Sequence, residues 1–158
     1  MIRPAVPADV PAIVTFIKEL AAYEKEPAKA IATGAQLHAA LFGPSPALYA
    51  HMACDDETGA PQGFAVWFLN FSTWRGVHGI YLEDLYVREP ARGKGYGKAL
   101  LRQLAVIAAE RGYWGVAWSV LNWNTPSIDF YTSLGAVAQD DWTTYRVMDA
   151  SMHALARP

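Results

Sequence analysis

The most telling stretch of this chain is Leu85-Tyr86-Val87-Arg88-Glu89-Pro90-Ala91-Arg92-Gly93-Lys94-Gly95-Tyr96-Gly97-Lys98. An apolar, strand-like run enters a loop with glycine at 93, 95 and 97, and a helical pattern follows at once. Alternate glycines remove every second side chain, so backbone N–H groups can approach a ligand closely. The start of a helix adds N–H groups without intrahelical partners and the positive end of a dipole. Together they make an anion site suited to a pyrophosphate. Arg88, Arg92, Lys94, Lys98 and Arg102 surround it with only Glu89 as a local acid, although the whole chain has a formal net charge of −2. The plain alternative is a glycine-rich turn before a solvated helix, but glycines at a helix start are costly without a reason. A Walker loop would need Gly-x-x-x-x-Gly-Lys-Ser/Thr, and a dinucleotide fingerprint Gly-x-Gly-x-x-Gly after a parallel strand. Neither is present.

Outward from this loop, the pattern mixes helices and strands. Ile2–Ala5 reads as a first strand. Val10, Ile13, Val14, Ile17, Leu20 and Ala21 recur at steps of three and four, an amphipathic helix that Pro27 stops. Thr33-Gly34-Ala35-Gln36 fits a capping box for a second helix with Leu37 and Leu41. The runs 48–54 and 63–71 form a hairpin around the turn-rich 55–61, and 81–87 is another strand. A helix over 97–111 ends at Gly112, and 113–121 is strand-like. Thr125 serves as N-cap, with Pro126 at the first position, of a short helix ended by Gly135, and two more strands follow. The order β-α-α-β-β-β-α-β-α-β-β, with hairpin-linked strands, predicts an α/β (α+β) fold with a mixed sheet.

Composition bounds the rest. The 158 residues suit a single domain over 1–158, and 53% hydrophobic content with ample aromatics supplies a packed core. The charge balance excludes a globally basic nucleic-acid binder, so no nucleic-acid partner is expected. One cysteine, Cys54, excludes an intrachain disulfide and a multi-cysteine zinc site. The histidines, His38, His51, His78 and His153, have no metal-ligand spacing, and no metal is expected. The start lacks an apolar signal core, and no apolar run approaches the roughly 20 residues that span a bilayer. The expectation is a cytoplasmic protein with no membrane partner.

Arg92-x-x-Gly95-x-Gly97 resembles the acyl-coenzyme A loop of the GNAT family of N-acetyltransferases, Arg/Gln-x-x-Gly-x-Gly/Ala. Asn124-Thr125-Pro126-Ser127-Ile128-Asp129-Phe130-Tyr131, running on to Leu134-Gly135-Ala136, resembles the family's next coenzyme A segment. Tyr81–Val87, Ile17–Glu24 and Trp123–Tyr131 are similar to its diamine (spermidine/spermine) and thialysine branch, over nearly the whole chain. The resemblance implies a GNAT-type central mixed, mostly antiparallel sheet flanked by helices and splayed at Leu85–Val87. It also implies acetyl-CoA as co-substrate, a small-molecule amine as acceptor, and a homodimer. It maps acetyl-CoA contacts onto Leu85, Tyr86 and Val87, onto the loop Arg92, Gly93, Lys94, Gly95, Tyr96, Gly97 and Lys98, and onto Asn124, Ser127 and Tyr131. It maps amine contacts onto Tyr23, Glu24 and Glu83. Trp74, in a polar loop, is a further candidate to flank the acceptor. The acid that members of the branch often carry just before this tryptophan is Ser72 or Thr73 here, and Arg75 and His78 add positive charge to the loop. A diamine, a polyamine or a thialysine-like amino acid therefore all stay open, as do a protein or other amine acceptor and a coenzyme A-binding module without turnover.

The chemistry of acetyl transfer by direct attack sets two proton tasks. A primary amine, with a pKa of roughly 10.4, is protonated at pH 7 and must lose a proton before it attacks. Glu83, on an otherwise apolar strand, is the candidate base; unbroken alternation places it on the face of Leu85 and Val87 and turns Asp84 the other way. The alternative is that Glu83 is a hydrogen-bonded structural acid. Tyr131 is the candidate proton donor to the departing sulfur, one helical turn beyond Ser127; the alternative is an aromatic core residue. The backbone N–H of Leu85, freed if the strand splays, would meet the developing oxyanion.

Overall fold

The structure, a computed structural model, describes residues 1–158 and separates into two compact units, 1–119 and 120–158. In the first unit, strands β1 (Ile2–Pro4), β2 (Tyr49–Cys54), β3 (Pro61–Ser72), β4 (Val77–Val87) and β5 (Val116–Ala117) form one sheet in sequential order. The first three pairings are antiparallel and β4 with β5 is parallel, as the mixed, mostly antiparallel expectation required. Helices α1 (Val10–Tyr23), α2 (Gly34–Phe42) and α3 (Tyr96–Glu110) flank it.

One face of the sheet carries Met52, Cys54, Phe64, Val66 and Tyr86, and it packs with Val10, Ile13 and Phe16 of α1 and Leu37 and Leu41 of α2. Phe16 meets Phe64 and Tyr86 with ring centroids 5.7 Å and 6.0 Å apart. The other face, with Ala53, Ala65, Trp67, Ile80 and Leu82 buried, takes α3 through Leu100, Leu101, Leu104 and Ala108. The Thr33 box closes as expected: Thr33 Oγ1 accepts from the Gln36 N–H, and Gln36 Oε1 accepts from the Thr33 N–H. Near the N-terminus, Asp9 is buried but fully engaged. It takes two hydrogen bonds from the Arg3 guanidinium, at 2.6 Å and 2.8 Å, and one from the Val6 N–H.

Two departures from the sequence reading shape the site. First, β4 begins at Val77 rather than 81, but β5 is confined to Val116–Ala117 instead of spanning 113–121, and it pairs only with Ile80 and Tyr81. Beyond Tyr81 no strand flanks the outer side of β4. Second, the β3–β4 register jumps. Val66 opposes Asp84 but Trp67 opposes Leu82, so Glu83 is the extra residue of a β-bulge. A bulge breaks the two-residue alternation. Asp84 joins the face of Val66 and Tyr86 that α1 covers, together with Tyr81, while Leu85 and Leu82 share the α3 face.

The second unit contains α4 (Thr125–Ser133) and α5 (Asp149–Leu155). The N-cap of α4 is Asn124, not Thr125: the buried Asn124 Oδ1 accepts from the Ser127 N–H. Gly135, with φ of 87°, ends the helix as expected. The two strands expected after Gly135 do not form. Thr143, Thr144, Tyr145 and Val147 have strand composition, but a strand exists only as a partner in a ladder, and this exposed segment has none.

Candidate active site

The loop after β4 is built to leave backbone donors unspent. A 3₁₀ turn over Glu89–Ala91 satisfies the N–H groups of Ala91 and Arg92, and the next backbone N–H with a partner is that of Ala99, which donates to Gly95 O. The N–H groups of residues 93–98 meet no acceptor within the protein. Gly93 (φ 77°) and Gly95 (φ 85°) hold the left-handed conformation, and a side chain at either would meet open space. These glycines are required by the backbone path and leave the cradle uncovered from outside. Six consecutive free amides at the N-terminus of a 15-residue helix fit a pyrophosphate.

Arg92 ties this loop to two other expected site elements. Its Nε donates to Val87 O at 3.1 Å, and its guanidinium lies 5.0 Å from the Tyr23 ring and 5.8 Å from the Tyr86 ring. The end of α1, the end of β4 and the loop are thereby held together by one side chain. Arg88 adds an ion pair to Glu19 of α1 at 3.3 Å. Because the Arg88 N–H points into β3 (2.9 Å to Gln62 O), alternation turns the backbone groups of Leu85 and Val87 to the side that β5 has left open. That is where the sequence reading wanted a free Leu85 N–H.

Carboxylates gather at the bulge. Glu83 is exposed there, and Asp84 is half-buried. Burial, reinforced by the charges of Glu83 and Glu24, pushes the Asp84 carboxyl up to about 6. Burial also raises Glu24, just past the end of α1. No salt bridge or side-chain hydrogen bond reaches Asp84, and no salt bridge engages Glu83 or Glu24. The sequence assigns Asp84 no role at the site, because alternation turns it away from Leu85, where the structure also has it. The available signal was two adjacent acids in an apolar strand.

Trp74 and His78 lie apart from this group. Trp74 stands in the β3–β4 turn, 90% exposed; from Val77 to the bulge the strand rise is roughly 20 Å. His78 is fixed beside that turn. Its Nδ1 lies 3.1 Å from Asn70 O, and its ring meets Phe71 and Tyr113 edge-on. In the second unit, Ser127 and Tyr131 are half-buried and one turn apart on α4, and Phe130 lies beside Tyr131 with centroids 5.3 Å apart.

The architecture and the loop define an α/β protein with an anion cradle at the start of α3, and comparison with known proteins supplies the family. Residues 15–136 match the Acetyltransferase (GNAT) family, and the chain belongs to it. It is 33% identical to the thialysine N-epsilon-acetyltransferase of Bos taurus, over 99% of this chain and 96% of that protein. It is 29% identical to the L-ornithine N5-acetyltransferase NATA1 of Arabidopsis thaliana, over 98% and 86%. Among solved structures it resembles an integron cassette protein from the mobile metagenome of V. cholerae, with a TM-score of 0.82, 26% identity and coverage of 100% and 98%. This chain is an N-acetyltransferase, and acetyl-CoA is the co-substrate its family implies. No helix is long and apolar enough to cross a membrane.

Proposed function

We propose that residues 1–158 act as one acetyltransferase domain that moves the acetyl group of acetyl-CoA onto a primary amine of a small molecule: a diamine, a polyamine or a thialysine-like amino acid. The observation that carries this reading is the run of acceptor-free N–H groups over 93–98, at the start of α3 and beside the open side of β4. The cradle suits the coenzyme's diphosphate, with Lys94 and Lys98 adding charge, and the Leu85 N–H suits the oxygen of the thioester as it gains charge. Asn124 and Ser127 are assigned to the coenzyme by the resemblance.

When bound, acetyl-CoA supplies an activated acyl carbon with a thiolate leaving group. The chain's tasks are to hold the amine, to remove its proton and to reprotonate sulfur. Unpaired acids at Glu24, Glu83 and Asp84 favour an acceptor that arrives as a cation. Glu83, exposed at the bulge, is the base we assign to the amine's proton, taken directly or through water. Tyr131 is the residue we assign to the sulfur, and Tyr23 stands with Glu24 on the acceptor side. The names of the thialysine and ornithine relatives support an amine on an amino-acid side chain. We place the enzyme in the cytoplasm as a homodimer, as the resemblance implies.

The test is thiol release from acetyl-CoA across a panel of diamines, polyamines, thialysine and ornithine. Saturable release with one class supports the reading and names the acceptor. Coenzyme A binding without release for any amine would leave only a binding module. Tyr131→Phe lowers turnover with coenzyme A affinity nearly intact; unchanged turnover rejects its acid role.

A further inference from the structure

The acetyl-transfer reading leaves the reach of the acceptor open, and the β3–β4 pair sets a limit to it. On the α1 face of these strands the residues come in rows: Val66 with Asp84, then Phe68 with Tyr81, then Asn70 with Gly79. To one side of Asp84 the face is filled, because Phe16 packs on Phe64 and Tyr86. To the other side Phe68 and Tyr81 are only half-buried, with ring centroids 5.1 Å apart. A hydrogen bond of 2.9 Å between the Tyr81 hydroxyl and Ser119 Oγ holds that tyrosine in place. The aromatic strip ends at Gly79. A Cβ on Gly79 would collide with Cε2 and Nε1 of Trp114 and stand 2.7 Å from Asn70 Oδ1, so the indole occupies the place a side chain would take. The Trp114 N–H, donating to His78 O at 2.9 Å, anchors the ring's backbone there. Trp114 Nε1 and Asn70 Oδ1 are both buried without a hydrogen-bond partner. Buried polar atoms are nearly always matched, so an orphan donor beside an orphan acceptor marks the end of the strip as a place for a polar group.

We propose that Trp114, seated on Gly79, is the stop that limits the length of the acceptor, so that this chain takes short diamines or amino acids with a side-chain amine rather than triamines and tetraamines. The inference rests on the acetyl-transfer reading above and narrows its acceptor class. From the row of Asp84 to the row of Gly79 the unbulged β3 runs from Val66 to Asn70, roughly 13 Å of strand. A cationic nitrogen stands about 2.8 Å from the carboxylates at the head of the strip, and the far end of the molecule stops about 4 Å short of the indole. Roughly 6–7 Å remains for the acceptor itself. With zigzag bonds of about 1.5 Å, that length holds about four or five carbons between two polar ends. The faces of Phe68 and Tyr81 suit the methylene run, and the orphan pair above Gly79 suits the polar end. A triamine carries its third nitrogen into the indole, and a tetraamine overruns it further.

The experiment measures kcat/KM at saturating acetyl-CoA for unbranched diamines of three to eight carbons, spermidine and spermine. It compares the wild type with Trp114→Phe, Trp114→Ala and Gly79→Ala, and acetyl-CoA titrations accompany it. The wild type is fastest at four or five carbons and falls by about tenfold or more at eight carbons and with spermine, because methylenes that do not fit cost binding. Trp114→Ala removes the stop: the ratio of eight-carbon to four-carbon kcat/KM rises about tenfold, with acetyl-CoA affinity within about twofold of the wild type. Trp114→Phe keeps a ring on Gly79 and moves the profile part of the way. Gly79→Ala pushes the indole off its seat and shifts the profile in the same direction. A ratio of two amines within one variant does not depend on how much of that variant is folded, so a loss of stability leaves the readout intact. The inference is overturned if the wild type turns over spermine or the eight-carbon diamine as well as the four-carbon one. It is equally overturned if the variants scale every amine by one factor, which is the signature of a ring that only supports β5. A wild type that releases no thiol with any amine overturns the acetyl-transfer reading instead, and this assignment with it.

Discussion

Asp9 and Asp84 are both withdrawn from water, and the chain treats them in opposite ways. Asp9 sits where β1 hands over to α1, takes both arms of Arg3 and the Val6 N–H, and has its carboxyl held well below the usual aspartate range, above all by the Arg3 hydrogen bonds. Asp84 sits at the β4 bulge with no donor and with two acids in its field, and its carboxyl is pushed up to about 6. One aspartate was paired to build a corner. The other was left unpaired on the side of the sheet that also carries the acceptor candidates Tyr23 and Glu24. Satisfaction of charge therefore separates the part of this sheet that holds shape from the part that waits for a ligand.

The strongest way to break that contrast is Arg3→Ala. It leaves the buried Asp9 charge without its partner, so stability in urea titration falls by about 3 kcal/mol, with acetyl-CoA affinity unchanged. A loss under 1 kcal/mol would show that the pair is not structural. Gly95→Ala tests the other region. At φ of 85° an alanine is strained by about 1–2 kcal/mol, and relief of that strain shifts the amides of the cradle. Stability drops modestly while acetyl-CoA affinity in calorimetry drops tenfold or more. Equal losses in both variants would erase the distinction between corner and cradle.

The two aspartates also carry opposite pH signatures. The folded pKa of Asp9 is depressed, so its contribution is present above about 3.8 and is lost as pH falls through the lower folded value; the deficit of Arg3→Ala shrinks below pH 4. The folded pKa of Asp84 is raised, so its contribution is complete below about 3.8 and is lost as pH rises through about 6. Asp84→Asn therefore gains on the wild type as pH climbs from 4 to 7, reaching about 1–2 kcal/mol in chemical denaturation at each pH. A flat difference would mean that Asp84 is solvated after all.

What the sequence disclosed divides along the same line. The cradle was legible because its causes are local: glycines where φ is positive, basic residues, and a helix start, all within Arg92–Lys98. The Thr33–Gln36 box was legible for the same reason. The bulge at Glu83 was not, since it is set by register against β3, and that single extra residue puts Leu82 on the face of Leu85 and leaves Glu83 out of the alternation. The short β5 and the absent strands after Gly135 share one cause. Thr143–Val147 has strand-like residues, but ladder partners are a property of other segments. At Asn124 and Thr125 two adjacent residues were each able to cap, and only the backbone geometry selected the first.

The smallest expected effect concerns His51, a buried polar group that lies between the two cases. Its Nδ1 accepts a hydrogen bond from Trp67 Nε1 at 3.2 Å, and Tyr49 stacks on Trp67 with centroids 4.5 Å apart. The bond requires a neutral imidazole with its lone pair at Nδ1, because a protonated ring would oppose one N–H with another. Burial lowers the His51 pKa in agreement with that arrangement. Its contribution is therefore full above about 6.5 and is lost as pH falls toward the folded value, by about 1 kcal/mol for one hydrogen bond. Asp84 titrates in the same window with the opposite sign, so the two partly cancel in the wild type. Chemical denaturation of Asp84→Asn removes the cancellation, and its stability declines from pH 7 to pH 5. Adding His51→Leu to that variant flattens the decline at the cost of an orphaned Trp67 N–H. If the slope in Asp84→Asn persists in the double variant, His51 is not its source.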